Sequence, residues 1–263
     1  MKQNNLYLME NIQVALKRQK LLDKTQFQQM MEMPFASEIC VFLAPLGYSL
    51  PKNNITPKDV DQLYRDELMK MRNFLASLNF PTSLIDIFFV HVDSSTFLDA
   101  RLDATNFDQQ LLETYKNAIE ANLHPLITQM CRTKMDFYFL QCCLRKKPIP
   151  DEAKKIYNGF LSLDFFTQIY GQDASFIKQS LASGYYGRIL PKKAQQTPIE
   201  VVFDGIIYSY YRPYRQKVRG IEPIFSYIYD KKIELFDLRC LLKGKLYNLP
   251  EDTWQKAMRS LYV

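Results

Sequence analysis

Histidine is nearly missing from this chain: His91 and His124 are the only two among 263 residues. Neither has a second histidine or a cysteine at the three- or four-residue spacing of a helical metal site, so both read as ordinary helix or turn histidines. The five cysteines, Cys40, Cys131, Cys142, Cys143 and Cys240, show no CxxC spacing. Adjacent Cys142 and Cys143 cannot form an ordinary disulfide, and the set reads as buried reduced thiols of a cytosolic protein. Glycine is scarce as well, 8 in all, and no Gly- or Ser-rich run offers a flexible linker. The Gly244-Lys245 pair lacks the upstream glycine of a phosphate loop, and G-x-S-x-G, H-E-x-x-H and G-x-G-x-x-G are absent. Acid pairs such as Asp151-Glu152 and Glu251-Asp252 stand at expected helix starts, where the helix dipole accounts for them. No catalytic, cofactor-binding or metal-binding set emerges, and the expectation is a non-enzyme without cofactor.

Long apolar runs are missing too. The longest, around Ile39–Leu46 and Leu84–Val92, reach about half of a membrane span. The opening MKQNNLYLMENIQ lacks the apolar core of a signal peptide. These features predict a soluble protein with no direct membrane span that is not exported by a standard signal.

What remains is rich in apolar residues, 47%, with 24% charged, which excludes an intrinsically disordered chain. Helical spacing dominates, and we expect one all-α, multihelical unit over residues 1–263. The periodicity predicts helices over Tyr7–Leu22, from Asp23 onward, Ser37–Leu46, Pro57–Leu78, Leu84–Leu102, Asn106–Ala121, Pro125–Arg145 and Asp151–Phe166. The run Pro198–Tyr211 is β-branched but has no partner strand, so helix is the better assignment there. Three helices begin near a proline and carry an acid eleven or twelve places on: Pro81/Asp93, Pro125/Asp136 and Pro223/Glu234. The turns Leu22-Asp23, Ile149-Pro150-Asp151 and Leu249-Pro250-Glu251 also resemble one another. Divergent copies of one helical unit would produce such a pattern, although its spacing is too uneven for a solenoid.

The C-terminal stretch Tyr211–Val263 is the most informative. Gly220 breaks the chain, and Pro223 sits in a first helical turn that tolerates its missing N–H. Ile221, Phe225, Ile228, Leu235 and Leu242 mark a buried helix face. Gly244 is expected to close that helix, with Lys243 and Lys245 at its negative end. Pro250, Glu251 and Asp252 open another helix, whose apolar side holds Trp254, Met258 and Leu261.

This order of residues resembles the C-terminal signature of a family of V/A-type rotary ATPase subunits, those of the central stalk designated C (d in eukaryotes). The matching positions are Glu222-Pro223, Glu234, Asp237-Leu238-Arg239, Leu241 to Lys245 and Leu249-Pro250-Glu251. Leu21-Leu22-Asp23 and Tyr48 follow the family's opening plan approximately, without its threonine. Asp93-Ser94-Ser95-Thr96 has threonine where the family carries asparagine. The chain is also shorter than is usual for the family.

The resemblance implies three similar helical lobes around a pseudo-threefold axis, forming a funnel. It implies a non-catalytic rotor subunit of an ATPase or ATP synthase that transports hydrogen or other ions. Such a subunit lies peripherally on the cytoplasmic face of the membrane. Its partners are the central shaft subunits of the headpiece and the membrane rotor ring.

Net charge is +6, and Lys178–Arg219 holds eight basic residues against Glu200 and Asp204. Within it, Arg212, Arg215, Lys217 and Arg219 offer an interface for an acidic partner. Aromatics beside arginines also suit single-stranded nucleic acid, but Pro213 interrupts the segment and the signature overlaps it. We therefore expect no nucleic-acid partner. The alternative to the rotor subunit is a helical scaffold or adaptor of another complex.

Overall fold

The structure, a computed structural model, describes residues 7–51, 54–78, 80–97, 104–190 and 197–259, apart from the side chains of 91–97 and 104–107. Among these residues there are thirteen α-helices and no strand. They are α1 (Leu8–Arg18), α2 (Lys24–Glu32), α3 (Ala36–Leu43), α4 (Pro57–Ser77), α5 (Thr82–Phe97), α6 (Ala104–Glu120) and α7 (Pro125–Leu144). Next come α8 (Asp151–Ile156), α9 (Leu163–Ile169), α10 (Ala174–Ser183), α11 (Ile199–Tyr211), α12 (Glu222–Leu246) and α13 (Glu251–Ala257). The β-branched run is thus helical, as α11. The chain divides into two compact units, Met1–Asn79 with Tyr211–Val263, and Phe80–Tyr210.

The first unit is assembled on α12, whose 25 residues make a rod of about 37 Å. A single apolar stripe is expected here, but burial extends almost all round the helix. Ile224, Phe225, Ile228, Leu235, Leu238, Leu241 and Leu242 are buried, and so are Ser226, Asp230, Lys231, Glu234 and Asp237. The reason is that α1, α3, α4 and α13 all pack against it, leaving only a half-buried stripe through Lys232, Phe236, Arg239, Cys240 and Lys243.

Gly220 does break the chain ahead of it, at φ 87°. Gly244, however, does not close the helix but lies inside it. The stop is Asn248 at φ 49°, with Leu249 N–H donating to the Gly244 carbonyl (2.9 Å) and Asn248 N–H to that of Lys245 (3.3 Å). Asparagine tolerates the left-handed conformation that this cap requires. Gly244 serves close packing instead: a Cβ there would stand 2.5 Å from Trp254 Cγ and 2.9 Å from its Cβ. Pro250 precedes α13 as its N-cap rather than lying in its first turn. Trp254 and Met258 are buried as expected, while Leu261 lies outside the described residues.

The second unit is built around α7, with α6 and α9 against it and α5 and α8 packed on α6. Its core includes Ile127, Met130, Phe139, Leu140, Phe166, Ile177, Leu181, Tyr186 and Phe203. The helix expected over Asp151–Phe166 is two helices, because residues 157–162 turn aside. The N–H groups of Phe160 and Leu161 bond the carboxylate of Asp136 instead of a helical carbonyl. Gly159 permits this, since any Cβ there would strike Asp136 and Tyr157. All five cysteines are free thiols, four buried and Cys240 half-buried. Burial pushes Cys131 up to about 12, as befits an inert core thiol.

Candidate functional site

The polar residues buried along α12 form the candidate site. Glu234 is fully buried and accepts from three directions: Leu22 N–H at 2.6 Å, Tyr48 O–H at 2.5 Å and Lys231 Nζ at 2.6 Å. Lys231 also reaches Glu67 on α4 at 3.3 Å and donates to Tyr48 Oη at 3.0 Å. One carboxylate therefore ties the α1–α2 turn, the tyrosine that follows α3 and, through Lys231, α4 to the central helix. A buried charge is tolerable when its neighbours satisfy it this completely, and removing one member is then costly.

Other signature residues act in the same manner. Arg239 Nε and Lys243 Nζ both engage Asp61 of α4, at 2.7 and 2.8 Å. Burial opposes the Asp61 charge, but the Lys243 hydrogen bond and the nearby Arg239 outweigh it and hold its carboxyl below the usual range. Lys245 donates to the Met31 carbonyl of α2 at 2.8 Å, and its ammonium lies over the Trp254 ring. Asp237 accepts Arg259 N–H at 2.6 Å, holding the segment after α13. Leu238 is buried beside these groups, and Pro223 occupies the first turn of α12. Glu222 pairs with Lys217 at 2.8 Å.

The four basic interface candidates do not behave alike. Arg215 pairs with buried Asp230 at 3.1 Å, as does Arg18 of α1, and Lys217 is taken by Glu222. Arg212 and Arg219 are exposed.

Asp136 of α7 is the counterpart of Glu234 in the second unit. It accepts the O–H groups of Tyr186 (2.5 Å) and Tyr157, and the N–H groups of Phe160 (3.0 Å) and Leu161 (3.3 Å). Desolvation raises its carboxyl above the ordinary value despite these four donors. Leu161-Ser162 precedes α9 as Leu22-Asp23 precedes α2, and each Ser or Asp caps its helix. Buried Phe166, Ile169, Ile177, Leu181 and Tyr186 then stand in the order of buried Phe27, Met30, Ile39, Leu43 and Tyr48. The same device, an acid holding a Leu N–H and a Tyr O–H, is built twice. Pro81/Asp93 cannot be compared, since the Asp93 side chain lies outside the described residues.

No group of His, Cys, Asp and Glu among the described residues could hold a metal. His124 accepts Leu126 N–H at the start of α7, an ordinary capping role; the His91 side chain is outside the described residues. No described helix is long and apolar enough to cross a membrane.

A family model described as "ATP synthase (C/AC39) subunit" matches residues 101–257, more than half of the chain. The chain belongs to this family. Its members are non-catalytic subunits of the membrane-bound V-type ATPase complex. No curated protein is matched by the sequence.

The C/AC39 match takes in Asp136 and the whole α12 signature, but not Leu22 or Tyr48. The structure brings those two to Glu234 nonetheless. Tyr157, Tyr186 and Leu161 escape sequence inspection: the turn that resembles Leu22-Asp23 in sequence, Ile149-Pro150-Asp151, is not its equivalent. That turn instead matches Leu249-Pro250-Glu251, each proline capping a short helix with acids in its first turn.

Proposed function

We propose that the chain is a central-stalk rotor subunit of a V/A-type ion-transporting ATPase, carrying rotation between the shaft of the soluble headpiece and the membrane ion ring. Beyond family membership, the observation that carries this reading is the Glu234 clamp. A part that transmits torque without doing chemistry must resist shear between its helices. Glu234, with Lys231, joins the α1–α2 turn, Tyr48 and α4 to one rod through buried charge-assisted bonds. Close packing around α12 adds stiffness.

In this reading the subunit sits peripherally on the cytoplasmic side of the membrane, and three helical lobes surround a shallow funnel. Exposed Arg212 and Arg219 contribute electrostatic attraction to the shaft. The test is binding of the purified chain to isolated shaft subunits. Binding at low salt that weakens as salt rises supports the reading. Absence of binding by a demonstrably folded chain contradicts it; salt-insensitive binding removes only the electrostatic part.

A further inference from the structure

Helix α1 buries one side and carries an apolar stripe on the opposite one. Asn11 and Val14 are buried toward α12, and Arg18 pairs with Asp230 on that side. On the other, Met9, Ile12 and Leu16 are 65%, 47% and 57% exposed. Their three- and four-residue steps place them within an arc of about 60°, roughly opposite Asn11 and Val14. This is the seam spacing of one helix laid along another.

The stripe runs into a basic groove. Lys20 continues its line and enters an open cavity of about 830 Å³, lined also by Arg18, Lys24, Arg215, Pro45 and Leu46. An adjoining depression adds Lys17 and Lys70. The carboxylates lining the two are committed: Asp23 caps α2, and Glu67 serves Lys70 and Lys231. Among the described residues no carboxylate pairs with Lys20 or Lys24. Apolar side chains at seam spacing, followed by cations, complement an amphipathic helix with acidic residues at one end. A second copy of α1 in parallel would set lysine against lysine, and the stripe carries no aromatic anchor for a bilayer.

We propose that the outer face of α1 docks an amphipathic helix of a protein partner, whose apolar side covers Met9, Ile12 and Leu16 and whose acidic end enters the groove at Lys20 and Lys24. The test uses the full chain and two labelled helical peptides, with leucines at the seam positions and either glutamates or lysines beside them. The glutamate peptide should bind, and more weakly as salt rises, while the lysine peptide should not. Ile12→Asp with Leu16→Asp should weaken binding about tenfold or more. Lys20→Glu with Lys24→Glu, an exposed pair of changes, should do likewise and admit the lysine peptide. Equal binding of both peptides, no binding of either, or indifference to both double variants overturns the proposal. So does dimerisation of the wild-type chain, or its capture by anionic phosphatidylserine vesicles, if Ile12→Asp with Leu16→Asp abolishes it.

Discussion

The Trp254 side chain lies against the backbone of Gly244 at a distance that leaves no room for a Cβ. The close atoms include Trp254 Cβ and Cγ, so the ring cannot simply swing away. Alanine is the better helix former by about 1 kcal/mol, yet overpacking costs about 1–3 kcal/mol. Gly244→Ala should therefore lower stability in denaturant unfolding, and cost less in a Trp254→Ala background, where the contacts to Cγ and the ring are gone.

Glu234 should matter more than Tyr48. Glu234→Gln leaves the Leu22 N–H without its charged acceptor and Lys231 with Glu67 as its remaining carboxylate. Breaking a buried pair in this way costs about 3–5 kcal/mol. Tyr48→Phe removes the O–H bond to Glu234 and the bond accepted from Lys231, but leaves the Lys231–Glu234 ion pair and the Leu22 bond in place, so it should cost less. Because both act on one carboxylate, the double variant should lose less than the sum, as equilibrium unfolding of all four proteins would reveal.

Asp136 makes a pH-dependent prediction. Its folded pKa is raised, so between the ordinary value of 3.8 and that raised value the folded chain binds the extra proton. Stability must then fall as pH rises through this window, and stay level above it. Asp136→Asn removes that slope. The variant also loses stability throughout, since one amide oxygen cannot accept from two tyrosines and two N–H groups. Melting temperature against pH, wild type beside Asp136→Asn, should show a difference that narrows as pH rises from 3.8. A difference independent of pH would show that Asp136 titrates alike in the folded and unfolded chain.

The helices were legible because their apolar spacing and their proline starts are local signals. So was the α12 signature, down to Glu234 and Arg239. Gly244 misled because glycine closes helices often, and only the fold shows that Trp254 needs the space. The break between α8 and α9 was hidden for a related reason. The N–H groups of Phe160 and Leu161 leave helical pairing for Asp136, an acceptor more than twenty residues away in sequence. Likewise nothing local marks Leu22 N–H as the donor to Glu234, across 212 residues. Periodicity reports which face is buried; it carries no record of which distant polar group waits there.

Coupling is tested most directly by measuring ATPase rate and ion uptake in the same reconstituted vesicles, wild type beside Leu238→Ala. Leu238 is buried in α12 next to the clamp, and truncation of such a leucine costs about 2–5 kcal/mol. Under the proposed coupling role, loosening this helix should let the headpiece turn over ATP while ion uptake falls further than hydrolysis does. If uptake and hydrolysis fell together, and hydrolysis by the detached headpiece vanished as well, the chain would be taking part in catalysis and the coupling role would be wrong.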